Sequence, residues 1–317
     1  MTLQQLAYFV ALVEARNFTR AADRMGVAQP TLSRQLKAVE NELGAPLVNR
    51  GRREVTLTPA GEAVLPLARR MLADAESART AVAELVGLRR GRLRVGATPS
   101  LCIGMLADVL QMFHARHPDI AVELSENGSQ LLVRDLARGL LDVALVIVPP
   151  SGLDPSLRIT PLLRERLSVA SPRTGWAPPG HGSMSVTELA RRPLVMFRKG
   201  YDLREVTLRA CAEAGVTPSF AVEGGEMDAV LRLVETGTGV AVVPDLVFAG
   251  RPQLRRTVLT PPLHRTVALA HRSDVVPTHA TRAFDETLLS HLAEVAADGG
   301  LPDVQVLSRS RHGLTER

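Results

Sequence analysis

Gly26 and Pro30 stand four residues apart, and together they forbid one continuous helix across positions 19–43. Glycine suits the left-handed residue that ends a helix, and proline suits a first helical turn. The apolar residues on either side recur at helical spacing. Leu3, Leu6, Phe9, Val10 and Val13 share one face of a first helix. A second helix starts near Thr19, carries Ala21, Ala22 and Met25, and stops at Gly26. A third runs from about Pro30, with Gln29 as its cap, to Leu43, burying Leu32, Leu36, Val39 and Leu43 before Gly44 closes it. Three short helices with a tight turn at 26–28 make a helix-turn-helix pattern. Two β-prone pieces follow, Leu47–Arg50 and Glu54–Leu57, flanking Gly51-Arg52-Arg53. That spacing predicts a small hairpin, or wing, with a basic tip.

Beyond Thr58 the chain turns helical again to about Leu88. Val64, Leu67, Met71, Ala78, Val82 and Leu85 recur close to a heptad seam, with Pro66 near the start. A single helix with one apolar stripe needs a partner, and a second copy of the chain is the simplest one. Arg-Arg-Gly at 89–91 reads as a linker. Strand and helix then alternate: strands at Leu93–Ala97, Ile120–Leu124 and Val143–Val148, helices at Cys102–Ala115 and Ser129–Arg138. This is a βαβαβ unit with a parallel sheet. A second unit has strands near Leu167–Ala170, Leu194–Phe197, Phe220–Val222 and Val240–Val243, with helices near Leu203–Ala214 and Met227–Glu235. A strand at Thr266–Ala270, a helix at Thr278–Ala296 and a polar tail expected to be disordered complete the chain.

Composition narrows the function classes. The 317 residues are 45% hydrophobic and 22% charged, ordinary for a globular protein, with length for two or three domains. The net charge of +5 permits nucleic-acid binding without establishing it. Only Lys37 and Lys199 are lysines, so arginine carries nearly all the positive charge. No apolar run is long enough to span a bilayer, and the first residues lack a basic segment before their apolar ones, so the expected location is the cytoplasm, with no membrane partner. The two cysteines, Cys102 and Cys211, have no metal-ligand spacing, and no metal or cofactor is expected. Cys102 could be a redox thiol; a small, partly buried apolar residue is the preferred reading. None of the eight histidines forms His-Glu-x-x-His, and no Gly-x-Ser-x-Gly or phosphate-binding loop is present, so no enzyme is expected.

The first sixty residues resemble the LysR-type transcriptional regulator family. The resemblance is carried by Leu6 and Phe9, Asn17-Phe18-Thr19, Ala21-Ala22, the run Val27-Ala28-Gln29-Pro30-Thr31-Leu32-Ser33-Arg34-Gln35-Leu36, Val39-Glu40, Leu43-Gly44, Pro46-Leu47, Arg50 and Leu57-Thr58-Pro59-Ala60-Gly61. The chain departs from the family at Val48, where phenylalanine is usual, and at Asn17 and Ala28, where serine is frequent. Leu93-Arg94-Val95-Gly96, Gly139-Leu140-Leu141-Asp142 and Glu235-Thr236-Gly237-Thr238-Gly239-Val240 with Val243-Pro244 extend the likeness more weakly.

The resemblance implies an α/β protein with an N-terminal all-α winged helix-turn-helix and a C-terminal two-lobed, periplasmic-binding-protein-like effector domain. The expected division is 1–58 for DNA binding and 59–90 for a dimerising linker helix. The effector domain is 91–298, with lobe one at about 91–161 and 266–298 and lobe two at about 162–265, and 299–317 is the disordered tail. Expected partners are double-stranded DNA, further copies of the chain in a dimer or tetramer, and RNA polymerase where the outcome is activation. A solute-binding protein shares the C-terminal fold, but the N-terminal helix-turn-helix argues against it.

A recognition helix reads bases from its N-terminal turns. Those turns offer Gln29, Pro30, Thr31, Ser33, Arg34 and Lys37. Glutamine pairs with adenine, arginine with guanine, and threonine touches a thymine methyl, while Ser33 and Lys37 suit phosphate. Arg50, Arg52 and Arg53 on the wing suit phosphates or a narrow minor groove. Ligands of open α/β sheets lie beyond strand C-termini, near helix starts. Thr98-Pro99-Ser100, Asn127-Gly128-Ser129 and Arg198 with Tyr201 meet that rule, and their hydroxyls, amides and charge suit a carboxylate or other small-anion effector. Each of them taken singly serves equally well as a cap or turn residue.

Overall fold

The computed structural model describes residues 1–50, 54–85, 91–149, 152, 154–174, 182–297 and 304–307. Backbone proximity divides the chain into two units, the first built on Met1–Arg89 and the second on Arg90–Leu136 and Leu141–Arg317.

In the first unit, helices α1 (Leu3–Ala15), α2 (Phe18–Arg24) and α3 (Gln29–Leu43) precede strands β1 (Val48–Arg50) and β2 (Val55–Leu57) and the helix α4 (Pro59–Leu85). Thr2 and Gln5 form a reciprocal capping box on α1, and the Asn17 carboxamide accepts from the amides of Thr19 and Arg20 at the start of α2. The cap of α3 is Ala28, with no side-chain bond, and Pro30 lies in its first turn; the expected cap, Gln29, is already helical. Gly26 and Gly44 adopt φ of 64° and 71° and end their helices as expected. Leu6, Phe9, Leu12, Leu32, Leu36 and Val39 fill the core, whereas Leu3 and Leu43, at helix ends, remain exposed.

The wing is tied to this core at both ends. The amide of Val55 donates to Arg16 O at 3.0 Å, and that of Leu47 donates to the buried carboxylate of Glu40 at 3.0 Å. The Thr58 hydroxyl donates to Pro46 O at 2.6 Å and accepts from Gly61 N at 3.0 Å. A Cβ on Gly61 would lie 2.0 Å from Leu47 O, so only glycine lets α4 start this close to the wing.

In the second unit, β3 (Arg92–Ala97), β4 (Ala121–Glu126) and β5 (Val143–Val148) pair in parallel, order β5-β3-β4. Between them run α5 (Pro99–Leu101), a π-helical turn (Cys102–Leu106), α6 (Ala107–Arg116) and α7 (Ser129–Ala137). The next strand, β6 (Leu157–Pro172), is far longer than the Leu167–Ala170 segment its alternation predicts. After it come β7 (Ser183–Ser185), α8 (Val186–Ala190), β8 (Pro193–Phe197), α9 (Asp202–Glu213), β9 (Ser219–Gly225), α10 (Met227–Glu235) and β10 (Ala241–Pro244). The strand expected at Thr266–Ala270 is the end of β11 (Leu254–Arg272), which α11 (His279–Ala297) follows.

β6 and β11 pair antiparallel from Leu254↔Pro172 to Arg272↔Leu157, with register shifts after Val258 and Val267. β10 adds to one half of β6, and β5 adds to the Thr266–Ala270 half of β11. The two strands thus run through both lobes. Leu162, Leu163, Val267 and Leu269 join one core, and Leu167, Val169, Leu254 and Leu259 join the other. The tail read as disordered from 299 is corrected at one place: β12 (Val304–Val306) pairs antiparallel with Glu165–Leu163. Its alternating valines pack on the first lobe's core, which repays the ordering of so short a segment.

Gly61→Ala is expected to lower the stability of the first unit by about 1–3 kcal/mol, through overpacking against a carbonyl that cannot move away. Hydrogen exchange of amides in α1 and α3 measures it. Unchanged protection would remove the close-approach argument.

Candidate functional sites on the helix face and in the cleft

Capping and core packing fix the exposed face of α3. Leu32, Leu36 and Val39 turn inward, so Gln29, Pro30, Arg34 and Lys37 stand exposed, with Thr31 and Ser33 half-buried between them. Lys37 lies 4.0 Å from Glu40, a carboxylate already engaged at the wing. Gln35 accepts from Gln5 at 2.9 Å, which locks α3 onto α1. The Arg34 guanidinium makes no hydrogen bond or ion pair among the described residues, so it is available to an external acceptor. β1 includes Arg50, whereas Arg52 and Arg53 lie outside the described residues.

The second unit presents a cleft where its two lobes meet. Its floor is a buried polar cluster. Arg265 on β11 donates from Nε to Glu165 on β6 at 2.7 Å and from Nη1 to the Ser100 hydroxyl at 2.9 Å. Ser100 lies 3.4 Å from the Thr98 hydroxyl, and both are buried. Burial pushes the Glu165 carboxyl upward, and the Arg265 charge opposes that rise. Ser129 at the start of α7 accepts from the amide of Ile147 and donates to Asp202 of the other lobe at 2.8 Å. Burial raises the Asp202 pKa, with the Ser129 hydrogen bond pulling the other way.

A cavity of about 290 Å³ is lined by Gly128, Gln130, Leu131 and Arg134 from one lobe and Arg198 and Gly200 from the other. The lobes touch closely there, since a Cβ on Gly128 would lie 3.3 Å from Gly200 O. Arg198 pairs with Glu226 and lies over the Tyr201 ring, with 5.8 Å from its guanidinium carbon to the ring centroid. Arg134 has Asp135 at 3.5 Å, an exposed pair of little worth.

Residues 3–62 match the bacterial regulatory helix-turn-helix protein, lysR family, and residues 87–293 match the LysR substrate binding domain. The chain belongs to the LysR family of transcription regulators. BenM of Acinetobacter baylyi is 30% identical over 77% of this chain and 80% of its own. A probable hydrogen peroxide-inducible genes activator of Mycobacterium avium is 32% identical over 77% and 78%. Full-length CbnR in complex with its target DNA superposes with a TM-score of 0.67 at 27% identity, covering 92% of this chain and 100% of that one. This LysR-family chain is therefore a DNA-binding regulator with an effector-binding domain, not an enzyme.

The structure divides the cleft residues expected from sequence. Gly128 and Arg198 line the cavity; Thr98, Pro99, Ser100, Ser129 and Tyr201 are buried and do not line it, and Asn127 is half-buried. Arg134 escaped the sequence reading, although it lies four residues after Gln130 on the same helix face. Arg265 and Glu165 carried no sequence signal, because their partnership spans a separation of 100 residues. Cys102 is half-buried, and its thiol is pushed up to about 12, chiefly by burial and also by Glu126; burial raises buried Cys211 as well. Burial disfavours the thiolate at both positions. Among the described residues no group of three His, Cys, Asp or Glu side chains could hold a metal ion, and no helix is long and apolar enough to cross a membrane.

Glu165→Gln strands the Arg265 guanidinium in a buried site, and the expected loss is about 3–5 kcal/mol. The paired change Glu165→Leu with Arg265→Met should restore most of it. Thermal unfolding of the three variants makes the comparison, and a double variant as weak as the single one would contradict it.

Proposed function

We propose that this regulator is switched by a small anionic effector held in the cavity between Arg134 and Arg198. The observation that carries the proposal is that two guanidiniums, one from each lobe, line the same 290 Å³ space. Gly128 lets backbone approach closely there, at the start of α7 where free amides favour negative charge. In this reading Thr98, Pro99, Asn127, Ser100, Ser129 and Tyr201 set the shape of the cleft from behind, held by Arg265 and Asp202. An anion bridging the two arginines favours the closed lobes in proportion to its differential affinity for them.

DNA is read by Gln29, Pro30, Thr31, Ser33, Arg34 and Lys37 on α3, and backbone affinity comes from the wing arginines Arg50, Arg52 and Arg53. Residues 1–58 form the reading head, 59–90 the dimerising helix and 91–298 the effector domain. Exposure of Leu67, Met71 and Val82 along α4 supports pairing of two copies, which effector domains extend to a tetramer. The regulator works in the cytoplasm and engages RNA polymerase where it activates.

Footprinting on the operator, titrated with a panel of small mono- and dicarboxylates, tests the effector reading. Arg134→Gln and Arg198→Gln should each weaken the response about tenfold or more, with basal binding unchanged. An unchanged effector constant in the double variant would move the pocket elsewhere. Arg34→Ala should cost about 1–3 kcal/mol of operator affinity and relax base preference. Unchanged affinity and preference together would displace α3 from the groove.

A further inference from the structure

Two short irregular helices, one from each lobe, interlock where the lobes meet. The first is the π-helical turn Cys102–Leu106, which joins α5 to α6. Such turns are rare inside α-helices and recur at functional sites. The second is a 3-10 turn (Asp245–Phe248) that follows β10. Their side chains cross over. Leu246 is buried in the first lobe's core, while its neighbour Val247 is buried in the second. Ile103 of the first lobe packs in return against the second lobe's core. Gly104 lets the two turns meet, since a Cβ there would lie 2.9 Å from Leu246 Cβ and 3.3 Å from Leu246 O.

Polar groups tie this joint to the cleft. The Leu246 amide donates to Glu165 at 3.4 Å, and the same carboxylate holds Arg265, which donates to Ser100. Asp245 is buried and accepts from Arg256 Nε at 2.9 Å, which fixes the start of the 3-10 turn on β11. One carboxylate thus connects the turn that carries Leu246 with the helix start that carries Ser100. Glycine inside a helix weakens it, so the stretch from Pro99 to Arg116 yields most readily at Gly104. Packed side chains move between discrete seatings rather than deform continuously.

We propose that this interlock is the conformational switch of the effector domain. Leu246 is seated against Gly104 in one arrangement of the lobes and withdrawn in the other, and the π-turn loosens as it withdraws. The helix start with Thr98 and Ser100 moves with the turn, because one ion pair holds both. A ligand that favours one position of that helix start selects one seating of Leu246. The link to a ligand rests on the effector cleft proposed above, whereas the seating of Leu246 does not.

The two native cysteines supply the test. Cys102 begins the π-turn, and Cys211 lies in the second lobe's core. Burial disfavours the Cys102 thiolate, so the withdrawn arrangement is the reactive one. Full-length protein is alkylated with iodoacetamide under native conditions, and mass spectrometry reads the rate at each thiol. Gly104→Ala wedges Leu246 out, so Cys102 should react about tenfold faster or more, with Cys211 within about twofold of wild type. Leu246→Val, which trims the inserted side chain, should act in the same direction and takes over if Gly104→Ala fails to fold. Ser100→Ala, which cuts the tie to Arg265, should also speed Cys102. Combined with Leu246→Val it should fall short of the product of the two factors, because both act on one joint. An unchanged Cys102 rate, equal acceleration at both thiols, or a full product in the double variant overturns the proposal. The assay contains no effector, so a cavity at Arg134 and Arg198 that fails in footprinting leaves this result standing.

Discussion

The antiparallel ribbon of β6 and β11 is the constraint on which the second unit depends. Each strand gives one half of its length to each lobe's core, with Leu163 and Val267 in one and Val169 and Leu259 in the other. At the crossing between the cores lie Glu165 and Arg265, both buried. A polar pair occupies that point, bonded to each other and to Ser100. A buried ion pair contributes little net stability, because desolvation cancels most of its attraction. Its value here is geometric. It sets the register where a slip would turn every flanking side chain to the wrong face.

The parts legible in the sequence were those where local chemistry and tertiary packing agree. Gly26, Pro30 and Gly44 punctuate the first helices because φ restrictions act on single residues, and the structure keeps them where the punctuation requires. The parallel strands of the first lobe read clearly because buried strands are continuous apolar runs, as in Val143–Val148. The crossover strands read poorly. β6 begins Leu-Arg-Ile-Thr-Pro and β11 includes two adjacent prolines, features that argue locally for a loop. Long-range pairing overrides that local signal. The same reasoning explains β12, three residues whose strand character exists only against the edge of β6.

The cleft was legible as a set of strand ends and helix starts, and illegible in its division of labour. Sequence gives hydroxyls and glycines at turns but not their burial. Ser100 is committed because Arg265 reaches it from a strand that sequence separates by 165 residues, and the buried Thr98 hydroxyl lies against Ser100. Ser129 is committed because it caps one lobe and bonds Asp202 of the other. What remains open to a ligand is the rim, where Arg134 and Arg198 meet across two glycines.

That arrangement bears on how such a domain can move. The lobes touch through a hydroxyl–carboxylate bond, through the approach of Gly128 to Gly200, and through Leu246 of the second lobe, which packs into the first lobe's core against Gly104. Water can replace the hydrogen bond, whereas withdrawing Leu246 would expose apolar side chains of the first core. The ribbon beneath stays paired throughout, since its register is held by both cores at once. A rotation of the lobes about β6 and β11 is the motion that leaves this pairing intact. For the proposed effector between Arg134 and Arg198, only its difference in affinity for the two arrangements of the lobes can shift the balance between them.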